Sequence, residues 1–471
     1  MKKILSLLFS LFLASAVADA GIVMSPIFSD GMVLQQDSDV RIWGTASPAN
    51  TVTLVTGWDN RLYSCKAAPN GNWAISVRTP VAGGPYSIII RDDTEHVIND
   101  VMIGEVWICS GQSNMEMPVK GFLCQPVEDA MAMLLDADNS DVRAYTVRRQ
   151  LSDAPVSTCS GQWLQATSET VPDISAVAYT FADRLSRTLG VTVGIVISSW
   201  GGTSILGWMP EDNILKTISQ EEADEILAVN TSYKNHPGKL FNGMIAPIAG
   251  YRAKGFIWYQ GEANVGYAEA YGKLTGELVS CWRRAWNSKG DDMAFYAVEI
   301  APHRYGKGNE NAIDRPLLVE AQYAALKKCG NTALIPTSDV GDNVCIHPAK
   351  KRQVGDRLAV TALEKIYGKH GFESEPPAIE KISYENGRAI VYTSSALGPS
   401  PSRIYGFEIA GKDGYFYEAK ALTDRRTGTI ILTAEEVPEP VAVRYAFHNC
   451  VNANWTNWMG IPALPYRSDR K

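Results

Sequence analysis

The hydrophobic pattern of this 471-residue chain changes twice, and this restricts the fold more than any other sequence feature. From Ile22 to about Asp100, apolar residues alternate at period two between turn residues, which is typical of short strands in a β-sandwich. From Glu105 onwards, short apolar runs alternate with helical stripes. After Pro377 the period-two pattern returns. We therefore expect two β-rich regions that flank an α/β domain.

The middle region predicts a largely parallel sheet covered by helices on both faces, because strands and helices alternate along it. Functional residues of such a sheet lie at the carboxyl ends of the strands. The predicted strands are 105–110, 191–199, 255–261, 294–301 and 333–338, and the predicted helices are 174–189, 271–282 and 354–366. The predicted regions of the chain are a β-rich domain at 21–100, the α/β domain at 101–372, with an irregular excursion at 120–172, and a β-rich region at 373–471.

The first twenty residues have the layout of a secretory signal peptide. Lys2 and Lys3 precede the apolar run 4–14, and the small residues 18–20 precede Gly21. That run is shorter than the ~20 residues that a bilayer span requires. We therefore expect an exported protein, periplasmic or secreted, with a mature chain that has no membrane span.

Composition excludes several kinds of partner. The chain has 44 Lys and Arg against 51 Asp and Glu and no basic block, so nucleic-acid binding is not expected. No metal-binding or nucleotide-binding motif is present, and neither a metal nor a cofactor is expected. The eight cysteines include no C-x-x-C pair and predict mostly free, buried thiols, with Cys124 and Cys159 as the one pairing to check.

A candidate nucleophile follows the first strand of the α/β region. Ser113 stands between the strand 105–110 and a predicted helix, where backbone N–H groups and the helix dipole favour an oxyanion. The alternative is structural, since Ser113 and Glu116 also form a capping-box pattern. The segment has no G-x-S-x-G motif, so the nucleophile elbow of α/β-hydrolases is not predicted.

A serine nucleophile needs a base, and His347 is the best placed of six histidines. It closes a strand-to-loop segment before a helix that Pro348 would open. A helix N-terminus would lower the pKa of the imidazole and keep it neutral, ready to accept a proton. The alternative is an exposed loop histidine without function.

Two further loops follow strands of the same predicted sheet. Gly201 and Gly202 follow the strand 191–199 and allow backbone N–H groups to approach a ligand closely. Asn264 follows the strand 255–261 and could donate to the same oxyanion. A tight turn and an Asx turn are the structural alternatives.

Together these segments resemble the sialate O-acetylesterases, a family of SGNH hydrolases, over nearly the whole chain. The segments that carry the resemblance are 28–35, 104–107 with 111–115, 199–203 with Trp208, 258–264, and 346–348 with Lys351 and 354–358. The resemblance implies that Ser113 attacks an acetyl carbonyl, and that His347 takes its proton and returns it to the sugar hydroxyl. Water then releases acetate.

The resemblance also implies an oxyanion site made by the Ser113 N–H, the Asn264 amide and one glycine N–H, for which Gly202 is preferred. We expect the side chains of three further residues to contact the substrate: Gln112, Gln260 and Glu262.

The chain departs from the family at two positions. Relatives often carry an acidic residue where this chain has Cys345, so the residue that orients His347 is open between Asp342, Asp339 and a backbone carbonyl. Relatives also often carry Arg at the position of Val319, near the predicted active face.

The resulting expectation is an exported carbohydrate esterase whose partner is an O-acetylated sugar, most simply an O-acetylated sialic acid. An esterase for acetylated polysaccharides such as acetyl xylan is one alternative. A non-catalytic carbohydrate-binding protein is another, supported by the 12 Trp and 20 Tyr whose rings could stack on sugars.

Overall fold

The computed structural model describes residues 21–305, 311–394, 403–424 and 426–470. The predicted signal peptide, residues 1–20, lies outside the described residues and stays a prediction. Within the described part of the chain, no helix has both the length and the apolar character needed to cross a membrane.

The N-terminal region is built from strands, as the period-two pattern predicts. One sheet has the order β1-β3-β6. The other strands join the long strand β8: β2 and β7 pair with its first half, β4 pairs with β7, and β5 pairs with β4. Alternate residues of β4 and β6 are buried, so each sheet has one face in the core. The strands are β1 (Val23–Met24), β2 (Val33–Gln35), β3 (Asp39–Thr45), β4 (Thr51–Thr56), β5 (Leu62–Lys66), β6 (Asn72–Arg78), β7 (Gly83–Arg91) and β8 (Glu95–Gly111).

The middle region is an α/β layer structure, as predicted. Its sheet has the order β10-β9-β11-β8-β12-β13-β14 and is parallel except for the edge strand β10. The remaining strands are β9 (Asn139–Thr146), β10 (Trp163–Ala166), β11 (Val193–Ser199), β12 (Gly255–Tyr259), β13 (Ala294–Val298) and β14 (Thr332–Ile335).

Helices cover both faces of this sheet. Trp107 and Cys109 of β8 pack in the core layer of α3 and α8, whereas Val106 and Ile108 pack in the layer of α6 and α7. The helices are α1 (Ser113–Glu116), α2 (Ala130–Leu135), α3 (Ala176–Leu189), α4 (Glu211–Thr217), α5 (Gln220–Val229), α6 (Ala268–Ala285), α7 (Asp314–Leu326) and α8 (Lys351–Lys365).

The C-terminal region consists of two antiparallel sheets around one hydrophobic cluster. The residues Lys412, Asp413 and Gly414 predict a hairpin turn, and β18 and β19 pair on either side of it. The strands are β15 (Ile379–Glu385), β16 (Arg388–Thr393), β17 (Arg403–Ile404), β18 (Phe407–Ala410), β19 (Phe416–Glu418), β20 (Lys420–Asp424), β21 (Thr429–Thr433), β22 (Ala442–Tyr445) and β23 (Tyr466–Arg467).

Strand β8 belongs to two regions at once. Its first half pairs with β7, and its second half pairs with β11 and β12 in the parallel sheet. The boundary predicted at residues 100 and 101 falls inside this strand, so no linker separates the N-terminal strands from the α/β region.

The segment 120–172, expected to be irregular, contains α2, β9 and β10. Its pattern is hard to read because Arg143 interrupts the apolar run of β9. The structure buries this residue, and its guanidinium bonds the Asp100 carboxylate at 2.8 Å. A second local difference concerns α3. The predicted helix 174–189 would have Asp173 as its N-cap, whereas the N-cap in the structure is Ser175.

The structure also shows the surroundings of two cysteines and of Val319. Cys124 and Cys159 form no disulfide, since Cys124 is exposed while Cys159 is buried with its Sγ 3.4 Å from the Tyr145 hydroxyl. Val319, at the position where relatives often have Arg, is buried in the core on α7.

Candidate active site

The serine segment lies at the end of β8. The last residue of this strand, Gly111, has a φ of 138°. A Cβ atom at Gly111 would lie 2.2 Å from the Tyr259 carbonyl oxygen, so only glycine permits this close approach to β12. The chain then enters α1, which places Ser113 at the carboxyl ends of the parallel strands.

Ser113 is the first residue of α1 and is half-buried. The N-cap is Gln112, and the Glu116 carboxylate accepts from the Gly201 N–H and pairs with Arg149. The capping box that Ser113 and Glu116 could have formed is therefore absent from this helix. Among the described residues the Ser113 hydroxyl has no hydrogen-bond partner, so no hydrogen bond joins it to the His347 ring in this structure.

His347 lies in the loop before α8, which begins at Lys351 and not at Pro348. Its ring is half-buried, and burial, with the charge of Lys351 as the next cause and that of His303 after it, lowers the pKa of His347 to about 4. The predicted direction of this pKa is confirmed, but burial and not a helix N-terminus is its main cause. The ring is therefore neutral at ordinary pH and can accept a proton.

Two side chains of the segment 121–128 hold the imidazole. The Phe122 ring meets it edge-on, with ring centroids 5.3 Å apart. The Oε1 atom of Gln125 lies 2.6 Å from Nδ1 of His347. Neither residue carried a signal in the sequence, because both lie in the segment without a clear period and reach the histidine only through the fold.

A buried polar network joins the serine and histidine segments. Asn114, next to Ser113, donates from Nδ2 to the Ile346 carbonyl at 3.2 Å and to the Glu262 carboxylate at 2.5 Å. Its Oδ1 accepts from Lys351 Nζ at 2.5 Å. Burial lowers the pKa of Lys351 to about 7. The two predicted catalytic segments, far apart in sequence, therefore meet in one site.

The backbone N–H groups beside Ser113 distinguish between the two glycines. Gly201 packs on the serine, since a Cβ there would lie 3.2 Å from Ser113 Cβ, but its N–H already donates to Glu116. Gly202 has a φ of 64°, and its N–H meets no acceptor among the described residues. Ser113, at the first helical position, has no intrahelical acceptor for its own N–H. This arrangement favours Gly202 over Gly201 as a donor.

Asn264 is fully buried and holds two loops together. Its Oδ1 accepts from the Ile205 N–H at 3.1 Å and from Gln260 Nε2 at 2.7 Å. Its Nδ2 donates to Ser204 Oγ at 3.2 Å. Because an amide carries two N–H donors, one remains outside these bonds.

The three side chains expected to contact the substrate are buried instead. Gln112, Gln260 and Glu262 are 3%, 0% and 8% exposed. Gln112 Oε1 accepts from the Gly261 N–H at 3.4 Å, and Gln260 Nε2 donates to the Thr203 carbonyl at 2.9 Å. Buried polar groups usually have partners, but Gln260 Oε1 and Glu262 Oε2 have none among the described residues. Their bonds connect the site loops, and their contact with a substrate stays a prediction.

Neither aspartate considered as the orienting residue contacts His347. The Asp342 carboxylate accepts the backbone N–H groups of Val344 at 2.7 Å and Cys345 at 3.0 Å. The Asp339 carboxylate pairs with an arginine of α8, Arg357. Both carboxylates are thus engaged elsewhere.

A pair of cations lies beside the serine. The side chains of Arg149 and Lys234 both approach the Trp200 ring, at 5.4 and 5.7 Å from its centroid. Lys234 Nζ donates to the Gly201 carbonyl at 2.6 Å. Arg149 pairs with Glu116, whereas no described acidic side chain pairs with Lys234. Burial, followed by the charge of Arg149, lowers the pKa of Lys234. This cluster could not be predicted from the sequence, because its two basic residues lie far apart in an acidic chain.

A cavity of about 300 Å³ adjoins these groups. It is lined by Phe122, which contacts the histidine, and by Glu116 and Arg149 of the charged cluster. Its volume is at the lower end of the range for small-molecule pockets. The site thus offers a hydroxyl, a neutral base and N–H donors, which are groups that ester hydrolysis requires.

Comparison with known proteins agrees with this chemistry. Residues 103–364, more than half of the chain, match the family described as carbohydrate esterase, sialic acid-specific acetylesterase. Sialate O-acetylesterase from Homo sapiens is 26% identical over 495 residues, covering 94% of this chain and 90% of that protein. The enzyme of the same name from Mus musculus is 25% identical and covers 94% and 91%.

A solved structure extends the likeness to the fold. The crystal structure of a carbohydrate acetylesterase from Xanthomonas citri superposes with a TM-score of 0.84 at 30% sequence identity, covering 96% of this chain and 100% of that one. The resemblance inferred from the motifs is confirmed. The chain belongs to the carbohydrate esterase family of sialic acid-specific acetylesterases and is a hydrolase of carboxylic esters.

Proposed function

We propose that this protein removes O-acetyl groups from sugars, with O-acetylated sialic acids as its main substrates, through an acetyl-serine intermediate on Ser113. The observation that supports the mechanism most is the Asn114 network, which ties the serine segment to the histidine segment beside unpaired N–H donors. The SGNH character of the fold, implied by the motifs, is part of this proposal.

In the first half of the reaction, Ser113 Oγ attacks the acetyl carbonyl carbon while His347 Nε2 takes the hydroxyl proton. The negative charge that develops on the carbonyl oxygen is stabilised by the N–H groups of Ser113 and Gly202 and by the Asn264 amide. The bond to the sugar oxygen then breaks, and the imidazolium returns its proton to that oxygen.

In the second half, a water molecule replaces the sugar. His347 takes a proton from the water as its oxygen attacks the acetyl-serine carbonyl. The same N–H donors stabilise the second oxyanion. Collapse of this intermediate releases acetate and returns the proton to Ser113, so the enzyme is restored without a net gain or loss of protons on its side chains.

The substrate class is argued from the cation cluster. Glu116 balances Arg149, whereas Lys234 has no acidic partner among the described residues. Lys234 Nζ bonds the carbonyl of Gly201, the residue that packs on Ser113. A sugar carboxylate would pair with this charge through short, charge-assisted hydrogen bonds. A neutral polysaccharide such as acetyl xylan would leave it unpaired. This difference favours an acidic sugar.

The substrate is tested by comparing kcat/KM for 9-O-acetyl sialic acid and for acetyl xylan. We expect the wild type to prefer the sialic acid, and Lys234→Gln to reduce that activity by about tenfold or more, since a bond to a charged group contributes about 1.5–3 kcal/mol. Lys327→Gln is the matched control, because Lys327, the residue after α7, also lies over an aromatic ring, with Nζ 4.8 Å from the centroid of Tyr323. Preference for acetyl xylan, with no effect of Lys234→Gln, would support the neutral alternative.

The nucleophile is tested with a chromogenic acetate ester. We expect Ser113→Ala and His347→Ala each to lower kcat by several orders of magnitude, because residues that act as one unit fail together. Full turnover by Ser113→Ala would eliminate the mechanism. Absence of turnover by the wild type on every acetate ester would instead favour the carbohydrate-binding alternative.

Export is proposed on the N-terminal sequence alone. The basic residues, the apolar run and the small residues before Gly21 support cleavage of residues 1–20 and a periplasmic or secreted enzyme. N-terminal sequencing of the protein from its host tests this, since an uncleaved Met1 would contradict it.

A further inference from the structure

The side chain of Gln125 contacts the imidazole ring of His347. Gln125 Oε1 lies 2.6 Å from His347 Nδ1. An amide oxygen can only accept a hydrogen bond, so with this orientation of the Gln125 amide Nδ1 is the protonated nitrogen of the ring. Nε2 then carries the lone pair, and it has no protein partner among the described residues. The ring is in the tautomer that a base acting on Ser113 requires.

The backbone around Gln125 is fixed. The residues Phe122 and Gln125 exchange two backbone hydrogen bonds of 3.0 Å, which close a tight turn. At its far end, the Glu128 N–H donates to the Ala349 carbonyl at 2.9 Å, just beyond the histidine. The turn is thus fastened to the histidine loop itself. The amide is held in position and does not reach the ring by chance.

No carboxylate of the described residues bonds this nitrogen. The charged and titratable groups that face the histidine are Lys351 on α8, His303 in the loop after β13, and Cys345, whose Sγ donates to the His347 carbonyl at 3.2 Å. Asp342 is engaged by backbone N–H groups two and three residues further along its own loop. Within the described part of the chain, the amide is the one side chain that bonds the ring.

We propose that Gln125 is the third member of the catalytic unit, a positioning residue that orients His347 where an acidic residue does so in a Ser-His-Asp triad. The proposal rests on the proposed function of Ser113 and His347. It also explains how the chain can carry Cys345 where relatives often have an acid, because the orienting contact comes from a different segment. A neutral amide fixes the tautomer but adds no negative charge to stabilise the imidazolium.

The experiment uses the full chain and 4-nitrophenyl acetate, with three variants. Gln125→Ala removes the contact, and we expect kcat to fall by at least about tenfold while KM changes little, because orientation acts on the transition state. Gln125→Glu places a carboxylate against the ring and stabilises the imidazolium. We expect it to move the acid limb of the kcat/KM profile upward by about one pH unit or more. Leu123→Ala, in the same turn and 92% exposed, is the matched control.

A purely structural role for Gln125 would move stability and not the pH profile. Nitrogen-15 NMR of the histidine reports the tautomer directly, and we expect the Nδ1–H signature in the wild type and its loss in Gln125→Ala. The inference is overturned if Gln125→Ala matches Leu123→Ala and Gln125→Glu leaves the acid limb in place. If Ser113→Ala also retains activity, the proposed function itself fails. If Ser113→Ala is inactive, only the role of Gln125 is rejected.

Discussion

The base of this site is an imidazole whose pKa is about 4, lowered by burial first and by the charges of Lys351 and His303 after it. Activity requires the neutral ring, so it should fall only when the pH drops through this value. We expect kcat/KM for a neutral acetate ester to stay flat from about pH 5 to 7 and to decline near pH 4. Fluorescence at each pH checks that the protein stays folded. A decline centred at 6.5, the ordinary histidine value, would show that burial does not control the base.

Lys351 belongs to the histidine motif, but the sequence suggested no role for it. It is fully buried between Asn114 and the Tyr259 ring, whose centroid is 5.6 Å from Nζ. Replacing it by Met removes the donor to Asn114 Oδ1, and an unsatisfied buried acceptor costs about 1–3 kcal/mol. We expect Lys351→Met to lower the free energy of unfolding by that amount in urea.

The same substitution has a second readout. Because the charge of Lys351 lowers the pKa of His347, its loss should move the acid limb of activity upward. Lys350→Met, at the neighbouring N-cap position, is the control and should change neither stability nor the pH profile. If Lys351→Met changed neither the free energy of unfolding nor the acid limb of the pH–activity profile, the bond from Lys351 to Asn114 would have no role in stability or catalysis.

At the scale of elements, the site depends on how closely β8 approaches β12. A methyl group at Gly111 would clash with the Tyr259 carbonyl oxygen 2.2 Å away, in a backbone conformation that L residues rarely adopt. We expect Gly111→Ala to separate the strand ends, displace Ser113 and lower both kcat and stability.

Gly276 provides the matched control on α6, because a Cβ atom there meets nothing within 4 Å. Gly276→Ala should leave activity unchanged and stabilise the helix by about 0.5–1 kcal/mol, since alanine is the better helix former. The pair is compared by urea unfolding and by turnover of an acetate ester. Equal behaviour of the two variants would contradict the role given to Gly111.

Periodicity predicted the regular elements well. The predicted helices 271–282 and 354–366 correspond to α6 and α8. Strand β9 was not predicted, because an arginine in the sequence suggests a surface position. Only the fold shows that Arg143 is buried and bonded to Asp100. Local pattern thus identifies elements whose burial is apolar, and misses those whose burial depends on a distant charge.

At the scale of the whole molecule, β8 joins the N-terminal strands to the sheet that carries the site. Deleting residues 21–94 would remove β7 and β2 and leave the first half of β8 with unpaired backbone groups. We expect this truncated chain to be insoluble or inactive when compared with the full chain after expression. A soluble, fully active product would show that the two regions are independent.

In the site, too, residues next to strands and helices could be predicted from the sequence, whereas residues in irregular loops could not. Ser113, His347, Gly202 and Asn264 follow strands or precede helices, so their convergence at one edge could be predicted from the sheet alone. Gln125, Arg149 and Lys234 could not, because each reaches the site through loops whose course no sequence pattern reports. The burial of Gln112, Gln260 and Glu262 could not be predicted either, because polar residues in a motif suggest side chains that are exposed to a ligand.

The central claim is that the acetyl group passes through Ser113. Rapid acid quenching of the enzyme during turnover of an acetylated substrate, followed by mass spectrometry of its peptides, tests this most directly. We predict a peptide that carries one acetyl group on Ser113 in the wild type and none in Ser113→Ala, which releases no acetate. Release of acetate by the wild type with no acetylated Ser113 at any time, together with turnover by Ser113→Ala, would contradict the claim.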